Sequence, residues 1–592
     1  MLTTLTAPAF AGTWYIEDGD ITISAGESGN NVTQNNETTY GDTGTIITNH
    51  DKDKASSNTV TIDANGKNDK VEVTLKDVNI DASRGSEAAV SVTGKGDTTI
   101  ELDGDNELKS GAGHAGLEHN KTDTSGELTI QDKDNNGSLE AAGGFKGAGI
   151  GSAGSNDAQV KITGGNITAT SDDWGAGIGS GSYGTGTVEI TGGEINATGG
   201  YLGAGIGGGC NGSGNVTISG GTITAAGSDG AAGIGGGYYN GATVTITGDA
   251  VIKNASSTKY GAGIGGGNGS DGNVTISGNA KIENATGGYG AAGIGGGAFS
   301  SPDKIGNGNV VIKDNAKIDN VQGGAYGAGI GGGIYGLSNV TIEGNTKVNA
   351  TGGAGGAAIG GGAGAENNSD NNGNQITIKS NENGSPTINA VGGGTDEGEK
   401  IVIGGAGIGA GCESNADADI TLEGKVTITA TAGKDNVAIG ANGIEQEFSG
   451  LAEGSSITRY DPEGNDITLP TDPVPAVPSS SGGSSADASV QESVFPGLVV
   501  TDKDGQRISY TSIRNNNVLS LRVGRFTASL RASLATLRQL RAEGIDTITF
   551  QTILCSTTLS VDELLAMGGE DTEVVLTHHI RSSTLTVGGK AV

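Results

Sequence analysis

Gly203-Ala204-Gly205-Ile206-Gly207-Gly208-Gly209 is followed by Val216-Thr217-Ile218 and then by Ile223, and this set of three signals returns along most of the chain. Aligned on the central apolar residue, copies of the glycine string centre on Leu117, Ile150, Ile178, Ile206, Ile234, Ile264, Ile294, Ile330, Ile359, Ile408 and Ile439. The steps between them are 33, 28, 28, 28, 30, 30, 36, 29, 49 and 31 residues. The second signal reads Val160-Lys161-Ile162, Val188-Glu189-Ile190, Val216-Thr217-Ile218, Val244-Thr245-Ile246, Val274-Thr275-Ile276, Val310-Val311-Ile312 and Val340-Thr341-Ile342. The third is Ile167, Ile195, Ile223, Ile252, Ile282, Ile318 and Val348. A period near 30 residues outranks every other signal for the fold.

Each repeat holds three short segments, two of them alternating apolar and polar, separated by Gly, Asn or Asp. None reaches helical length. The expectation is an all-β chain, a parallel β-helix solenoid with three short strands per coil. Stacking sets each Ile on its equivalent in the next coil, which buries a face that one repeat could not bury alone. The crossover rule favours a right-handed coil. The small residues flanking each Ile point to a tightly packed side of the coil. A leucine-rich repeat would need leucine ladders, a calcium-binding nonapeptide repeat a period of nine, and a propeller about 40 residues per blade.

Glycine supplies 113 of 592 residues without the Gly-X-Y period of collagen, and the formal net charge is −33. Such a chain repels nucleic acid and anionic membranes, and no internal run has transmembrane length. The three cysteines form neither a disulfide frame nor a metal site. Cys210 and Cys412 share a column but stand six coils apart, about 29 Å, and all three are expected as small buried residues. No cofactor is expected. Calcium would need a compact acidic loop, and Asp132-Lys133-Asp134-Asn135-Asn136-Gly137 reads as a turn. The histidines lack metal spacing, and His114 and His119 read as loop residues.

Residues 1–11 end in Ala9-Phe10-Ala11 and read as the remnant of a secretory signal peptide. Residues 12–110 read as irregular N-terminal coils and cap, and 111–445 as the regular array. Residues 446–493 read as a terminal coil and a Pro/Ser/Gly linker, and 494–592 as a small α/β domain. In that domain a helix is expected over 527–543, from Leu530, Leu534, Leu537 and Leu540, and a strand over 547–554. Ser560-Val561-Asp562-Glu563 reads as a capping box.

Of the 21 aromatic residues, 11 fall in two columns. One precedes the central Ile: Phe145, Trp174, Tyr201, Tyr260, Tyr289 and Tyr326. The other, on the opposite flank, is Tyr183, Tyr238, Tyr239, Phe299 and Tyr335. Aromatic faces spaced by the coil step suit the apolar faces of successive sugar rings. An aromatic ladder can also serve structure alone. Candidate catalytic carboxylates are Asp172, Asp173 and Asp229, since glycan hydrolysis needs a pair of them. The same residues also suit turns.

With the strings Gly-Ala-Gly-Ile-Gly-Gly-Gly and Val-Thr-Ile-Ser-Gly-Gly-Thr-Ile-Thr-Ala, residues 60–445 resemble Gly-rich surface proteins of gut Firmicutes, of the carbohydrate-binding-domain or pectate-lyase-like β-helix kind. Residues 536–578 are similar to a C-terminal module of such proteins. The resemblance implies an extracellular or cell-surface β-helix. The basic residues that pectate lyases use on anionic substrate have no counterpart here. The leading expectation is therefore a secreted or surface bacterial protein that binds polysaccharide or host glycan, adhesin-like and monomeric. A polysaccharide-degrading enzyme and a surface stalk without a ligand site are the alternatives.

Overall fold

The computed structural model describes residues 11–298, 301, 304–367, 373–396, 403–473 and 497–591, apart from 504, 509, 516, 524, 526, 553, 554, 570, 571, 580 and 581. Residues 1–10 of the signal-peptide segment, Phe299 and the linker residues 474–493 lie outside the described residues. The chain divides into two compact units, Met1–Val477 and Pro478–Val592.

The first unit is a parallel β-helix. In its central coil the three strands are Ile206–Gly207, Gly214–Ile218 and Thr222–Gly227. All eleven aligned residues from Leu117 to Ile439 pair in one parallel column. That column continues backwards through Val90 and Val60 to Ile21. The Val-x-Ile strands stack in a second column that runs on to Ile376 and Ile420. The third column, from Ile167 to Val348, runs on to Ile388, Ile428 and Ile457. These residues form one continuous buried core, each worth about 2 kcal/mol of burial. The 49-residue step does not break the register, because Ile359 still pairs with Ile408.

The glycine string is a finger folded into the coil. Ala204 N–H donates to Gly208 O at 2.9 Å, and Ile206 at the tip is fully buried. The glycine after each central Ile takes a φ open only to glycine, +135° at Gly265. There an added Cβ would lie 2.1 Å from the Gly295 carbonyl oxygen of the next coil. The fingers thus nest backbone on backbone.

The ends of the solenoid are built differently. At the N-terminus, Ile21–Gly26, Gly29–Gln34 and Glu37–Asp42 form an antiparallel meander. At the other end Ser456–Tyr460 stacks on Thr427–Thr431, and the chain beyond it folds over a fully buried Arg459.

In the second unit Val499–Thr501 leads into a five-stranded antiparallel sheet, and a four-stranded sheet contains one parallel pair, Val518–Arg522 with Thr547–Gln551. The helix spans Leu534–Ala542, not 527–543: Ala528–Ser533 is a strand paired with Glu573–His578. Leu530 fits either period, and Ala528 and Ala532, buried beside it, set the alternation of a strand. Ser533 Oγ then caps the helix by accepting from Thr536 N–H at 3.1 Å. Ser560 caps Val561–Leu565 in the same way, through Glu563 N–H. Among the described residues no helix is long and apolar enough to cross a membrane.

Candidate functional site

Each finger is bracketed by two tight turns. Gly200-Tyr201-Leu202-Gly203 closes through Gly203 N–H to Gly200 O, and Gly209-Cys210-Asn211-Gly212 through Gly212 N–H to Gly209 O, both at 2.8 Å. The third residue of each turn is left-handed, with φ +67° at Leu202 and +55° at Asn211, as a type II turn requires. The finger folds inward, so its two ends meet. The turn after one finger is hydrogen-bonded to the turn before the previous one. Cys210, Tyr238, Asn268 and Ala298 donate N–H to the carbonyls of Trp174, Leu202, Gly230 and Tyr260 at 2.7, 3.1, 2.7 and 2.8 Å. Ile334, Ala363 and Cys412 do the same to Gly290, Tyr326 and Gly355 at 2.6, 2.8 and 2.7 Å.

The two aromatic columns, expected on opposite flanks, are therefore one seam. Its rungs run from Phe145 and Lys146 beside Tyr183, through Asp173 and Trp174 beside Cys210, to Tyr201 beside Tyr238 and Tyr239. Asp229 beside Asn268, Tyr260, Tyr289 beside Tyr335, and Tyr326 follow. Phe145 and Trp174 rings are 5.4 Å apart, Tyr260 and Tyr289 6.2 Å, and Tyr289 and Tyr326 5.7 Å. Lys146 Nζ sits 5.2 and 5.1 Å from the Phe145 and Trp174 rings. Tyr238 lies where a side chain on Gly230 would stand, and Tyr335 does the same above Gly364. Phe145, Tyr183, Tyr201, Tyr260, Tyr289 and Tyr335 are all exposed.

Two candidate carboxylates belong to this seam. Asp173 and Asp229 occupy the same turn position two coils apart, with the Tyr201 rung between them; Asp172 lies one residue before that position and is exposed. Burial and then the Asp172 charge push the Asp173 carboxyl above its ordinary range. Asp229 pairs with Lys259 Nζ at 2.8 Å. Lys146, Lys259 and Asn268 were not singled out from sequence; their signal was position next to an aromatic column, visible once the repeats are aligned.

The backbone under the seam is strained. Trp174, Tyr326, Tyr183, Tyr239 and Tyr335 hold φ of +63°, +71°, +65°, +63° and +61°. Several other coils put Gly230, Gly290, Gly355, Gly269 and Gly364 at the equivalent positions, while Lys146, Leu202, Ser155 and Asn211 hold the same left-handed conformation there. A bulky residue there costs about 1 kcal/mol, so an aromatic side chain is kept against local backbone preference. Tyr183 is 58% exposed. Tyr183→Gly is expected to raise the unfolding free energy by up to about 1 kcal/mol, read as a shift in urea midpoint. A fall would show the ring to be a structural brace.

Other features are structural. Cys210 and Cys412 are buried free thiols, pushed up to about 11 by burial, while Cys555 is half-buried, against expectation, with Sγ donating to His579 O at 3.3 Å. His119 is buried in the strand Leu117–Lys121, not in a loop, with its ring Nδ1–H donating to Gln159 O at 3.0 Å. The carboxylates of Glu101, Asp132 and Asp134 come within 4.8 Å of one another. Asp132, however, accepts from Asn136 and Gly137 N–H at 3.2 and 3.0 Å, and Lys133 Nζ stands 3.4 Å from Glu101. These are the bonds of a turn.

A beta helix repeat family model matches residues 160–182, 188–210, 216–238 and 274–298. Each match starts at the Val of the second strand and ends in the turn after the finger. No curated protein matches the chain, and no solved structure does. Repeat and architecture agree: the chain is a parallel β-helix.

Proposed function

We propose that the solenoid binds polysaccharide along the aromatic seam and works outside the cell, where such polymers are met. The observation that carries the reading is the one seam of exposed aromatic rings, with five aromatic residues held at left-handed corners that several other coils give to glycine. Rings a coil step apart can each receive the apolar face of a sugar, and Asp and Asn between them can accept from its hydroxyls. Affinity electrophoresis of the full chain through gels carrying different polysaccharides tests it. Tyr260→Ala, Tyr289→Ala and Tyr326→Ala together are expected to weaken the best ligand about 100-fold, from about 1 kcal/mol per ring. An unchanged mobility shift in a folded triple variant would leave the seam as a structural ladder and favour the stalk.

A second reading rests on the unlike environments of Asp173 and Asp229. Asp173, pushed upward by burial and the Asp172 charge, and Asp229, paired with Lys259, stand two coils or about 10 Å apart, which approaches the carboxylate spacing of an inverting hydrolase. Reducing-sugar release from a retained polymer, lost in Asp173→Asn, would move the weight to that reading.

A further inference from the structure

The corner that carries the seam continues towards the N-terminus. Gly113 N–H donates to Phe145 O at 2.8 Å, and Gly111 N–H donates to Glu87 O at 3.0 Å. Two coils before Phe145 the corner opens into a cavity of about 500 Å³, lined by Ser57, Thr59, Asp81, Arg84, Glu87 and two alanines. That volume accommodates one or two sugar units.

Its chemistry differs from that of the seam. No aromatic side chain lines it, so ring stacking is not its mode. It offers donors from Arg84, acceptors from Asp81 and Glu87, and two hydroxyls that can do both. Ser83 hydrogen bonds, then the charges of Lys109 and Arg84, hold Asp81 below its ordinary range, so it is an ionised acceptor. The solenoid unit contains only two arginines, Arg84 and Arg459. Arg459 is locked in the C-terminal cap. Arg84 is exposed and among the described residues enters no ion pair.

A wall of convergent donors and acceptors matches a ligand whose groups are both at once, which describes vicinal hydroxyls. Two carboxylates against one guanidinium disfavour an acidic sugar, and the guanidinium with the Ser57 and Thr59 hydroxyls supplies the mixed donors and acceptors that a neutral polyol uses. We propose that this cavity is a second site, distinct from the seam, that takes a single neutral sugar such as an exposed chain end. The proposal takes its ligand class from the glycan reading of the seam, but its geometry is independent of the tyrosines.

Saturation-transfer NMR on the full chain tests it, using methyl glycosides of glucose, galactose, mannose and xylose beside methyl glucuronide and methyl glucosaminide. At least one neutral glycoside is expected to bind, at least tenfold more weakly in Arg84→Ala and in Glu87→Gln, and unchanged in Tyr201→Ala. Binding of no neutral glycoside, or tighter binding of a charged one, would overturn the proposal. So would indifference to Arg84→Ala, or loss in Tyr201→Ala, which would assign the signal to the seam. Retention of polymer is scored separately: Arg84→Ala leaves it intact if the seam reading holds, whatever happens to the cavity.

Discussion

Gly265→Ala is expected to lower the unfolding free energy of the solenoid by on the order of 3 kcal/mol. Two costs add. The backbone sits at φ +135°, a conformation that side chains rarely adopt. The new methyl would also stand 2.1 Å from Gly295 O and 3.0 Å from Gly295 C. These are backbone atoms of the next coil, so relief requires moving one coil against another. Gly151, Gly179, Gly207, Gly235, Gly295, Gly331, Gly360 and Gly409 repeat the conformation, and the strain cannot pass to a neighbour that is equally full. In a solenoid held by nearest-neighbour interfaces, a break there uncouples the coils on either side. Gly113→Ala is the control: its φ is +91°, but nothing lies within 4 Å of the added methyl, so it is expected to cost about 1 kcal/mol. Urea unfolding followed by far-ultraviolet dichroism would compare them. Equal midpoints for the two variants would show that the nested fingers do not hold the coils together.

The core of this fold was legible because its signal is redundant. Leu117 to Ile439 align on one apolar residue in a glycine string, and the structure pairs every adjacent couple of them. The seam was legible only in halves. Aromatic residues before and after Ile206 look like opposite flanks when the string is taken as a strand between two corners. They become neighbours only when Ala204 bonds to Gly208 and the string doubles back, a five-residue closure that no periodicity announces. The strain at Trp174 or Tyr335 was hidden for a related reason: a left-handed position is usually betrayed by its glycine, and here the glycine appears only in other coils, at Gly230 and Gly364. In the second unit Leu530 satisfied a helical and a strand period alike, and pairing with Leu576 decided it. Arg459 left no trace of its role beyond being a rare arginine in a lysine-rich array.

Arg459→Met is expected to destabilise the C-terminal end of the solenoid by about 3–5 kcal/mol. The guanidinium is fully buried and its whole fork is used. Nε and Nη2 donate to the two Asp472 oxygens at 2.7 and 2.9 Å. Nη1 donates to Glu445 at 2.5 Å and to Ile439 O at 3.3 Å, and Nη2 also donates to Gln446 O at 2.7 Å. Arg459 lies on the last stacked strand, so this one side chain ties the chain beyond the array back across the end of the core. Methionine would fill much of the volume but leave the Asp472 carboxylate, itself buried, without a counter-charge, and that orphaned charge is the main cost. Arg459→Lys keeps the charge and loses the fork, and is expected to fall between. Arg459→Met with Asp472→Asn removes both charges and is expected to recover much of the loss. Because a solenoid needs its ends covered, the effect is local: faster amide exchange over Thr427–Thr431 and Ser456–Tyr460, with the seam coils around Ile234 protected as before. Exchange rates there equal to those of the parent chain would mean that the cap is held by its apolar contacts, among them Phe448 and Ile457, and that the buried ion pairs contribute orientation without net stability.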